Sequence, residues 1–158
     1  MTSKSLLIVA HTPSGNTDLM VQSICDGARQ LQADQLIVRR QAALSTTAQD
    51  VLSADAVVLF TPENLGYMSG ALKDFFDRVY YPILEQKQGL PCALVIRAGH
   101  DGTGTLQAIE SILLGLALCR TAHIVDGVEH LPLPLNDRVN QADSGWIRFN
   151  LYIFHGFT

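Results

Sequence analysis

The stretch LLIVAHTPSGNT, residues 6–17, decides the fold, because an apolar run passes through a hydroxyl-rich turn into a helical pattern. The run Leu6–Ala10 has the apolar, β-prone composition of a strand that is buried on both faces. The helical pattern over residues 17–32 repeats apolar residues at three- and four-residue spacing. A strand, a turn and a helix in this order predict the first unit of an α/β fold.

The turn between this strand and this helix has the composition of an anion-binding site. The first N–H groups of a helix have no intrahelical partner, and the helix dipole places partial positive charge there. We expect a phosphate to be held by these N–H groups and by hydroxyls, without a cationic side chain, since the turn contains no Lys or Arg. The glycine lets the backbone approach a ligand closely. The same turn is equally typical of a plain helix cap, and the residues alone leave both interpretations open.

The composition fits one globular domain and argues against several classes of protein. The chain has 158 residues, of which 47% are hydrophobic and 16% are charged. Its net charge of −4 argues against nucleic-acid binding, which needs a basic face. We find no signal peptide and no apolar run of the roughly 18 residues that a membrane span needs. The 3 cysteines lack metal or CxxC spacing, so they predict small buried hydrophobes in a reducing cytoplasm and no metal site.

Short apolar runs alternate with helical patterns along the chain. Strands are predicted at residues 6–10, 36–39, 56–60, 93–96 and 121–125. Helices are predicted between them, at residues 17–32, 46–53, 69–80 and 104–120. Strands separated by helices predict a parallel sheet with helices on both faces. Such a sheet binds ligands beyond the carboxyl ends of its strands, where the strand order reverses.

The loops after the third and fourth strands carry unusual residues at that edge of the sheet. The loop TPENLGYMSG, residues 61–70, contains Pro62, which we expect to end the strand because proline lacks an N–H. The loop RAGHDGTG, residues 97–104, exposes backbone groups through its glycines. The sequence leaves two interpretations for His11 and His100: contact with a ligand, or a structural or solvated role.

These motifs resemble the flavodoxin-like superfamily and, within it, the branch of NAD(P)H-dependent FMN reductases and quinone reductases. Residues 12–17, TPSGNT, are similar to its FMN-phosphate loop. Residues 61–78, TPENLGYMSGALKDFFDR, are similar to a long segment of the reductase branch. The resemblance implies a three-layer flavodoxin-like α/β sandwich with bound FMN and a five-stranded parallel sheet of order 2-1-3-4-5.

The resemblance also implies a role for the residues of each loop. The residues that would hold the phosphate are Thr12, Ser14, Gly15, Asn16 and Thr17. The residues that would pack against the isoalloxazine ring are Pro62, Glu63, Asn64, Leu65, Gly66, Tyr67 and Met68. The residues that would flank the pyrimidine edge of the ring are Gly99, His100, Asp101 and Gly102. No catalytic side chain is implied, since the flavin itself takes part in the hydride transfer.

The function that the resemblance implies is that of a cytoplasmic FMN-dependent oxidoreductase. It would take hydride from NADH or NADPH and reduce a quinone, a free flavin or a similar small-molecule acceptor. The alternative is a flavodoxin-type electron carrier that docks to a redox partner. The sequence distinguishes neither the acceptor nor the nicotinamide cofactor.

The C-terminal end of the chain departs from the pattern. We divide the chain into a flavodoxin-like FMN-binding domain, residues 1–140, and an atypical tail, residues 141–158, which is rich in aromatic residues and lacks helical periodicity. Three interpretations are open for this tail: a frameshifted or vector-derived end, an edge strand, or a segment packed on a partner subunit. The first and third are favoured. A sheet face without its last helix predicts a homodimer or a higher homo-oligomer.

Overall fold

The computed structural model describes residues 3–30, 36–99, 101–118, 122–125 and 148–154. The strands in this part of the chain are β1 (Lys4–Ala10), β2 (Leu36–Ala42), β3 (Ala56–Asn64), β4 (Tyr67–Met68), β5 (Cys92–Ala98), β6 (Ala122–Val125) and β7 (Arg148–Phe154). The helices are α1 (Gly15–Gln30), α2 (Ala48–Leu52), α3 (Gly70–Ile83) and α4 (Thr103–Gly115). The predicted alternation of strands and helices is confirmed. None of these helices combines the length and the apolar character that crossing a bilayer requires.

The sheet has the order β2-β1-β3-β5-β7-β6, with β4 paired to the end of β3. Strand β1 is parallel to β2 on one side and to β3 on the other, and β3 is parallel to β5. The chain thus moves outward from β1 in one direction and then in the other, which creates the strand-order reversal at which such sheets bind ligands. The predicted flavodoxin-like α/β fold is confirmed. The first four strands across the sheet, β2-β1-β3-β5, have the predicted order 2-1-3-4.

The far side of the sheet differs from the predicted arrangement in one strand. Strand β7, from the tail, lies between β5 and β6 and is antiparallel to both, so the predicted fifth strand is one place further out. Strand β7 pairs with six residues of β5, Ala93–Ala98, whereas β6 has only four residues to offer. The longer strand therefore satisfies more of the backbone N–H and C=O groups of β5. Because β7 has a neighbour on each side, the edge-strand interpretation of the tail is wrong.

The core has two layers, one on each face of the sheet. Helix α1 packs Met20, Val21 and Cys25 on one face, against Ile8 and Phe60 of the sheet. Helices α3 and α4 cover the other face. Their buried residues include Leu72, Phe75, Phe76, Val79, Ile109 and Leu113. Together with the sheet, these helices make the three layers that were predicted.

Strand β3 continues through Pro62 to Asn64, so the prediction that Pro62 ends the strand is wrong. Along β3, Val57 directs its N–H toward β5, and Phe60 directs its carbonyl toward the β1 side, where it accepts from the N–H of His11. By this alternation the nitrogen of Pro62 also faces the β1 side. The pairing of β1 with β3 has already ended at Phe60. The missing N–H therefore costs no bond of the sheet, which is the condition under which a strand tolerates proline.

Candidate functional site

The three loops that were singled out in the sequence meet at one edge of the sheet. They follow β1, β3 and β5, which are neighbours in the sheet and run in the same direction. The first loop is joined to β3 by the hydrogen bond from the N–H of His11 to the carbonyl of Phe60, at 3.2 Å. His11 also has a buried Nδ1 with no hydrogen-bond partner in the part of the chain that the structure describes. The carboxyl edge is thus where polar groups of the first loop and of β3 come together.

The first loop is organised by a reciprocal pair of hydrogen bonds between Ser14 and Thr17. The N–H of Ser14 donates to Oγ1 of Thr17 at 3.1 Å, and the N–H of Thr17 donates to Oγ of Ser14 at 3.3 Å. The hydroxyl of Thr17 donates to the carbonyl of Ser14 at 2.8 Å, and this side chain is only 1% exposed. This is the pattern of a capping box, so the cap interpretation is realised by these two residues. The hydroxyl of Thr17 is consumed within the loop and fixes its shape.

The N–H groups at the start of α1 remain available to a ligand. Gly15 and Asn16, the first two residues of the helix, have no acceptor for their N–H groups among the hydrogen bonds of the described residues. Both residues are exposed, and a Cβ on Gly15 would meet no atom within 4 Å. Two unpartnered donors in front of open space, at the positive end of a helix of 16 residues, make a site for an anion.

A cationic side chain from another strand lies beside the loop, although the loop itself contains none. Arg40 of β2 places Nη2 at 3.5 Å from Oγ1 of Thr12 and forms an ion pair with Asp18 in the first turn of α1. Sequence reasoning missed it because Arg40 is 23 residues beyond the end of the TPSGNT motif, as the numbering shows. The signal that could have found Arg40 is the predicted strand order, because it places β2 beside β1, where Arg40 pairs with Ile8.

The second loop is a β-hairpin. Strands β3 and β4 pair Glu63 with Met68 and Asn64 with Tyr67, which leaves a two-residue turn of Leu65 and Gly66. Both turn residues have positive φ, 54° and 75°, as a type I′ turn requires. Leu65 adopts this conformation without the usual glycine or asparagine, and its side chain is fully exposed.

The exposure of this hairpin separates the residues predicted to pack on a flavin ring. Pro62 and Met68 are buried in the protein, and Glu63 is half-buried. Those that face outward are Asn64, Leu65, Gly66 and Tyr67. Lys73, at the start of α3, lies near Tyr67, and a hydrogen bond with Asp77 raises the pKa of this lysine. The exposed half of the hairpin is therefore the part that a ligand can reach.

The hairpin is packed closely against the start of α4. The hydroxyl of Thr105, which is fully buried, donates to Oε2 of Glu63 at 3.0 Å. A Cβ on Gly104 would overlap the carbonyl oxygen of Gly66, so only glycine permits this approach of backbone to backbone. The structure thus brings the second and third predicted loops into contact. Sequence reasoning missed Thr105, which carries no motif of its own.

The third loop leads from β5 into α4. Gly99 is exposed, and Gly102 is the N-cap of α4 with φ of 73°, a conformation that favours glycine. Oδ1 of Asp101 accepts a hydrogen bond from the N–H of Thr103 at 3.0 Å. His100 lies outside the described residues. The structure therefore places three of the four predicted residues of this loop at the same edge as the hairpin.

The start of α3 anchors the hairpin to the sheet. Ser69 caps α3 by accepting from the N–H of Leu72. The N–H of Ser69 donates to Oγ1 of Thr61 at 3.0 Å, and both side chains are fully buried. The hairpin is therefore held at both ends, by Thr61 with Ser69 and by Glu63 with Thr105.

The other groups that could carry chemistry have structural roles. The described cysteines, Cys25 and Cys92, are buried, as predicted, and burial raises the pKa of the Cys25 thiol. Cys119 lies outside the described residues. Within the ranges that the structure describes, no three His, Cys, Asp or Glu side chains are grouped as metal ligands. The site is therefore built from hydrogen-bond donors, one arginine and an exposed hairpin.

The NADPH-dependent FMN reductase family matches this chain over residues 6–128, which include all three loops. The chain belongs to that family. It is thus a member of a group of FMN-binding, flavodoxin-like oxidoreductases, and the resemblance seen in the sequence is confirmed. The chain is also 32% identical over 108 residues to a flavodoxin of Aquifex aeolicus (strain VF5), a match that covers 68% of this chain and 57% of that relative. It spans just over half the length of that flavodoxin.

Solved structures show the same fold. A flavodoxin from the domain Archaea is 17% identical, with a TM-score of 0.59 over 72% of this chain and 76% of that one. The two-electron reduced flavodoxin of Megasphaera elsdenii is 18% identical, with a TM-score of 0.60 over 70% of this chain and 77% of that one. At these identities the likeness concerns the fold alone.

The residues at the start of α1 fit the terminal phosphate of FMN. A phosphate monoester needs several hydrogen-bond donors and compensation of its charge. The N–H groups of Gly15 and Asn16 and the hydroxyls of Thr12 and Ser14 would supply the donors, and the positive end of α1 would compensate part of the charge. The loop that the sequence singled out has the chemistry that the family's cofactor requires.

Proposed function

We propose that this protein is an FMN-dependent oxidoreductase that takes hydride from NADPH or NADH and reduces a quinone, a free flavin or a similar small-molecule acceptor. The nicotinamide loses a hydride, and a quinone acceptor gains two electrons and two protons, one of them from solvent. Bound FMN supplies the hydride-accepting and electron-donating chemistry. The single observation that carries this proposal is the family match over residues 6–128.

The chain's own residues would bind and orient the cofactor. The five residues of the first loop would hold the phosphate, with Thr17 acting through its hydrogen bonds to Ser14 rather than by direct donation. The outward residues of the hairpin, Asn64–Tyr67, would lie along the ring. The loop Gly99–Gly102 would flank the pyrimidine edge, where backbone N–H groups stabilise negative charge on the ring.

Anaerobic reduction tests the proposal. The purified protein is loaded with FMN, freed of excess flavin and mixed with NADPH or NADH without oxygen. We expect the absorption near 450 nm, the usual flavin band, to bleach within seconds, and a quinone added afterwards to restore it. Failure of both nucleotides to bleach a fully loaded protein would contradict the reductase function.

A flavodoxin-type electron carrier is the second candidate, because the chain is 32% identical to a flavodoxin. A carrier accepts and donates single electrons and docks to a protein partner. It would bind FMN but would not be reduced by nicotinamides. A potentiometric titration with two well-separated one-electron steps, together with no bleaching by NADPH or NADH, would favour the carrier over the reductase.

Two further properties are part of the proposal. We place the protein in the cytoplasm, a location supported by the free thiol of Cys25, which suits a reducing compartment. We also propose a homodimer or higher homo-oligomer, with support from the apolar side chains of Tyr81 and Leu114, 79% and 75% exposed on α3 and α4. Light scattering coupled to size-exclusion chromatography measures the mass that decides this point.

A further inference from the structure

Two neighbouring arginines of β2 have different surroundings. Arg39 is fully engaged by protein groups, because Nε donates to Ser5, Nη2 donates to Asp50 and Ser53, and Nη1 lies 3.6 Å from the Asp50 carboxylate. Its guanidinium therefore fastens β2 to β1 and α2. Arg40 makes both of its contacts through one nitrogen, Nη2.

The remaining donors of Arg40 have no acceptor in the described part of the chain. A guanidinium carries five N–H groups in a planar fork, and the contacts with Thr12 and Asp18 use only those of Nη2. Nε and Nη1 are left with three N–H groups between them. The side chain is 28% exposed, so its charge is screened less than that of a fully solvated arginine.

The position of Arg40 is fixed from two sides. Register pairs Arg40 with Ile8 of β1, four residues before Thr12, so the side chain extends along the sheet toward the first loop. Asp18, in the first turn of α1, holds the guanidinium by an ion pair. A carboxylate in that turn would repel an anion bound to the same helix start, and Arg40 offsets that charge.

We propose that Arg40 is a further ligand of the FMN phosphate: it donates to the phosphate from its unused N–H groups while Asp18 holds its guanidinium in place. This inference rests on the proposed function, since the phosphate belongs to the cofactor of that function. It adds a cation from β2 to a loop whose own residues carry none. A planar fork is suited to two phosphate oxygens at once, which lysine cannot match.

The test compares FMN with riboflavin, which has the same ring and ribityl chain but no phosphate. Dissociation constants are measured by flavin fluorescence for the full chain, at low and at high salt. We expect Arg40→Gln to weaken FMN binding about tenfold or more, the size of one charge-assisted hydrogen bond, and to leave riboflavin binding unchanged. The salt dependence of FMN binding should fall as well. Arg40→Lys, which keeps the charge, should lie between the wild type and Arg40→Gln.

Arg39→Gln is the matched control, because it removes the same charge from the adjacent position. It should leave the ratio of FMN to riboflavin affinity unchanged. Equal weakening of FMN and riboflavin binding by Arg40→Gln would show a structural role and overturn the proposal. Unchanged FMN binding by Arg40→Gln would overturn it too, while leaving the proposed function intact. A wild-type protein that binds neither flavin would contradict the proposed function itself, which is a separate outcome.

A double-mutant cycle separates direct contact from simple neutralisation of Asp18. If Arg40 binds the phosphate, Asp18→Asn with Arg40→Gln will bind FMN more weakly than Asp18→Asn alone, by a smaller factor than Arg40→Gln causes in the wild type, because Asp18 no longer holds the guanidinium. If Arg40 only offsets the charge of Asp18, those two variants will bind FMN equally well. Equal affinities of the two variants would therefore overturn the proposal.

Discussion

The starts of α1 and α2 are capped by the same pattern of hydrogen bonds but differ in charge. At α1 the reciprocal pair is Ser14 with Thr17, and at α2 it is Thr47 with Asp50. In both, the cap side chain accepts from the backbone of the third residue, and the side chain of the third residue accepts from the backbone of the cap. The third residue is a neutral hydroxyl at α1 and a carboxylate at α2.

This difference shows how a helix start can be kept open for an external anion. Asp50 gives α2 its own negative charge, bound by the N–H of Thr47 at 2.9 Å and the Thr47 hydroxyl at 2.5 Å. Thr17 gives α1 the same geometry without a carboxylate at the cap, and the carboxylate of Asp18 in the first turn is paired with Arg40, so the field of the longer helix is still available. A rigid loop and an unneutralised dipole are both needed for phosphate binding, and a hydroxyl in the third position provides both.

The largest effect should come from giving α1 a charge of its own at the proposed phosphate site. Asn16→Asp is nearly isosteric and puts a carboxylate beside the free N–H groups. We expect FMN affinity to fall by about 2 kcal/mol, roughly 30-fold, because like charges repel at short range. Riboflavin affinity should not change, and the unliganded protein should gain about 0.3–1 kcal/mol from the helix dipole. Fluorescence titration and urea unfolding measure the two effects.

Gln22→Glu is the control for this change, because it adds the same charge further along α1 on an exposed side chain. It should leave FMN affinity close to that of the wild type. Equal losses of FMN affinity in the two variants would mean that the effect depends on net charge and not on the start of the helix.

A second change removes the hydroxyl but keeps the shape of Thr17. Thr17→Val deprives the N–H of Ser14 of its acceptor, and we expect the free energy of unfolding to fall by about 1–2 kcal/mol. FMN binding should weaken as well, since the loop loses its fixed shape. Thr17→Ser keeps the hydroxyl and should lose much less stability in the same urea titration. A Val variant as stable as the Ser variant would contradict the capping role.

The corresponding change at α2 should affect stability alone. Thr47→Ala removes the cap of a helix of five residues that is separate from the three loops, and we expect a loss of about 1 kcal/mol. The FMN dissociation constant should be that of the wild type. A large change in FMN affinity would show that the two helix starts are not independent.

The smallest expected effect is on the pH dependence of the unfolding free energy. Of the two caps, only the cap of α2 should contribute to it, because it contains the carboxylate of Asp50. Hydrogen bonds from Thr47 and Gln41 hold the pKa of Asp50 below its ordinary value of 3.8. A lowered carboxyl pKa stabilises the folded state above the ordinary value, and this stabilisation is lost as the pH falls through the lowered pKa. Asp50→Asn should therefore show a smaller fall in unfolding free energy between about pH 5 and about pH 2 than the wild type. If the unfolding free energy of Asp50→Asn fell as much as that of the wild type over this pH range, the lowered pKa of Asp50 would not contribute to stability as assigned.

Much of the fold could be predicted because it follows from local signals. The continuous apolar runs at residues 6–10 and 56–60 are typical of strands buried on both faces, and both lie in the centre of the sheet. The first loop was found because its hydroxyls and glycine stand together in the chain. The charge pairs on α3, between Lys73 and Asp77 and between Asp74 and Arg78, are local as well, since each joins residues four apart on one helix.

What the sequence missed depends on contacts between distant segments. Arg40 reaches Thr12 only because β2 lies beside β1, and Pro62 is tolerated only because β1 ends before it. Leu19 fits the apolar stripe of α1 but is 60% exposed, whereas Cys25 is buried in the core. For Arg40 and Pro62 the neighbour that decides the outcome belongs to another element of the fold, so the local sequence pattern does not predict it.

The position of β7 has a consequence for the order in which the protein can be assembled during translation. The outer edge of β5 and both ladders of β7 form only once residues 148–154 have emerged from the ribosome, about fifty residues after β5 itself. Until then β5 presents an open, apolar edge of the kind that attracts other chains. Nascent protein should therefore depend on holding chaperones late in its synthesis, and slowing translation there should increase aggregation.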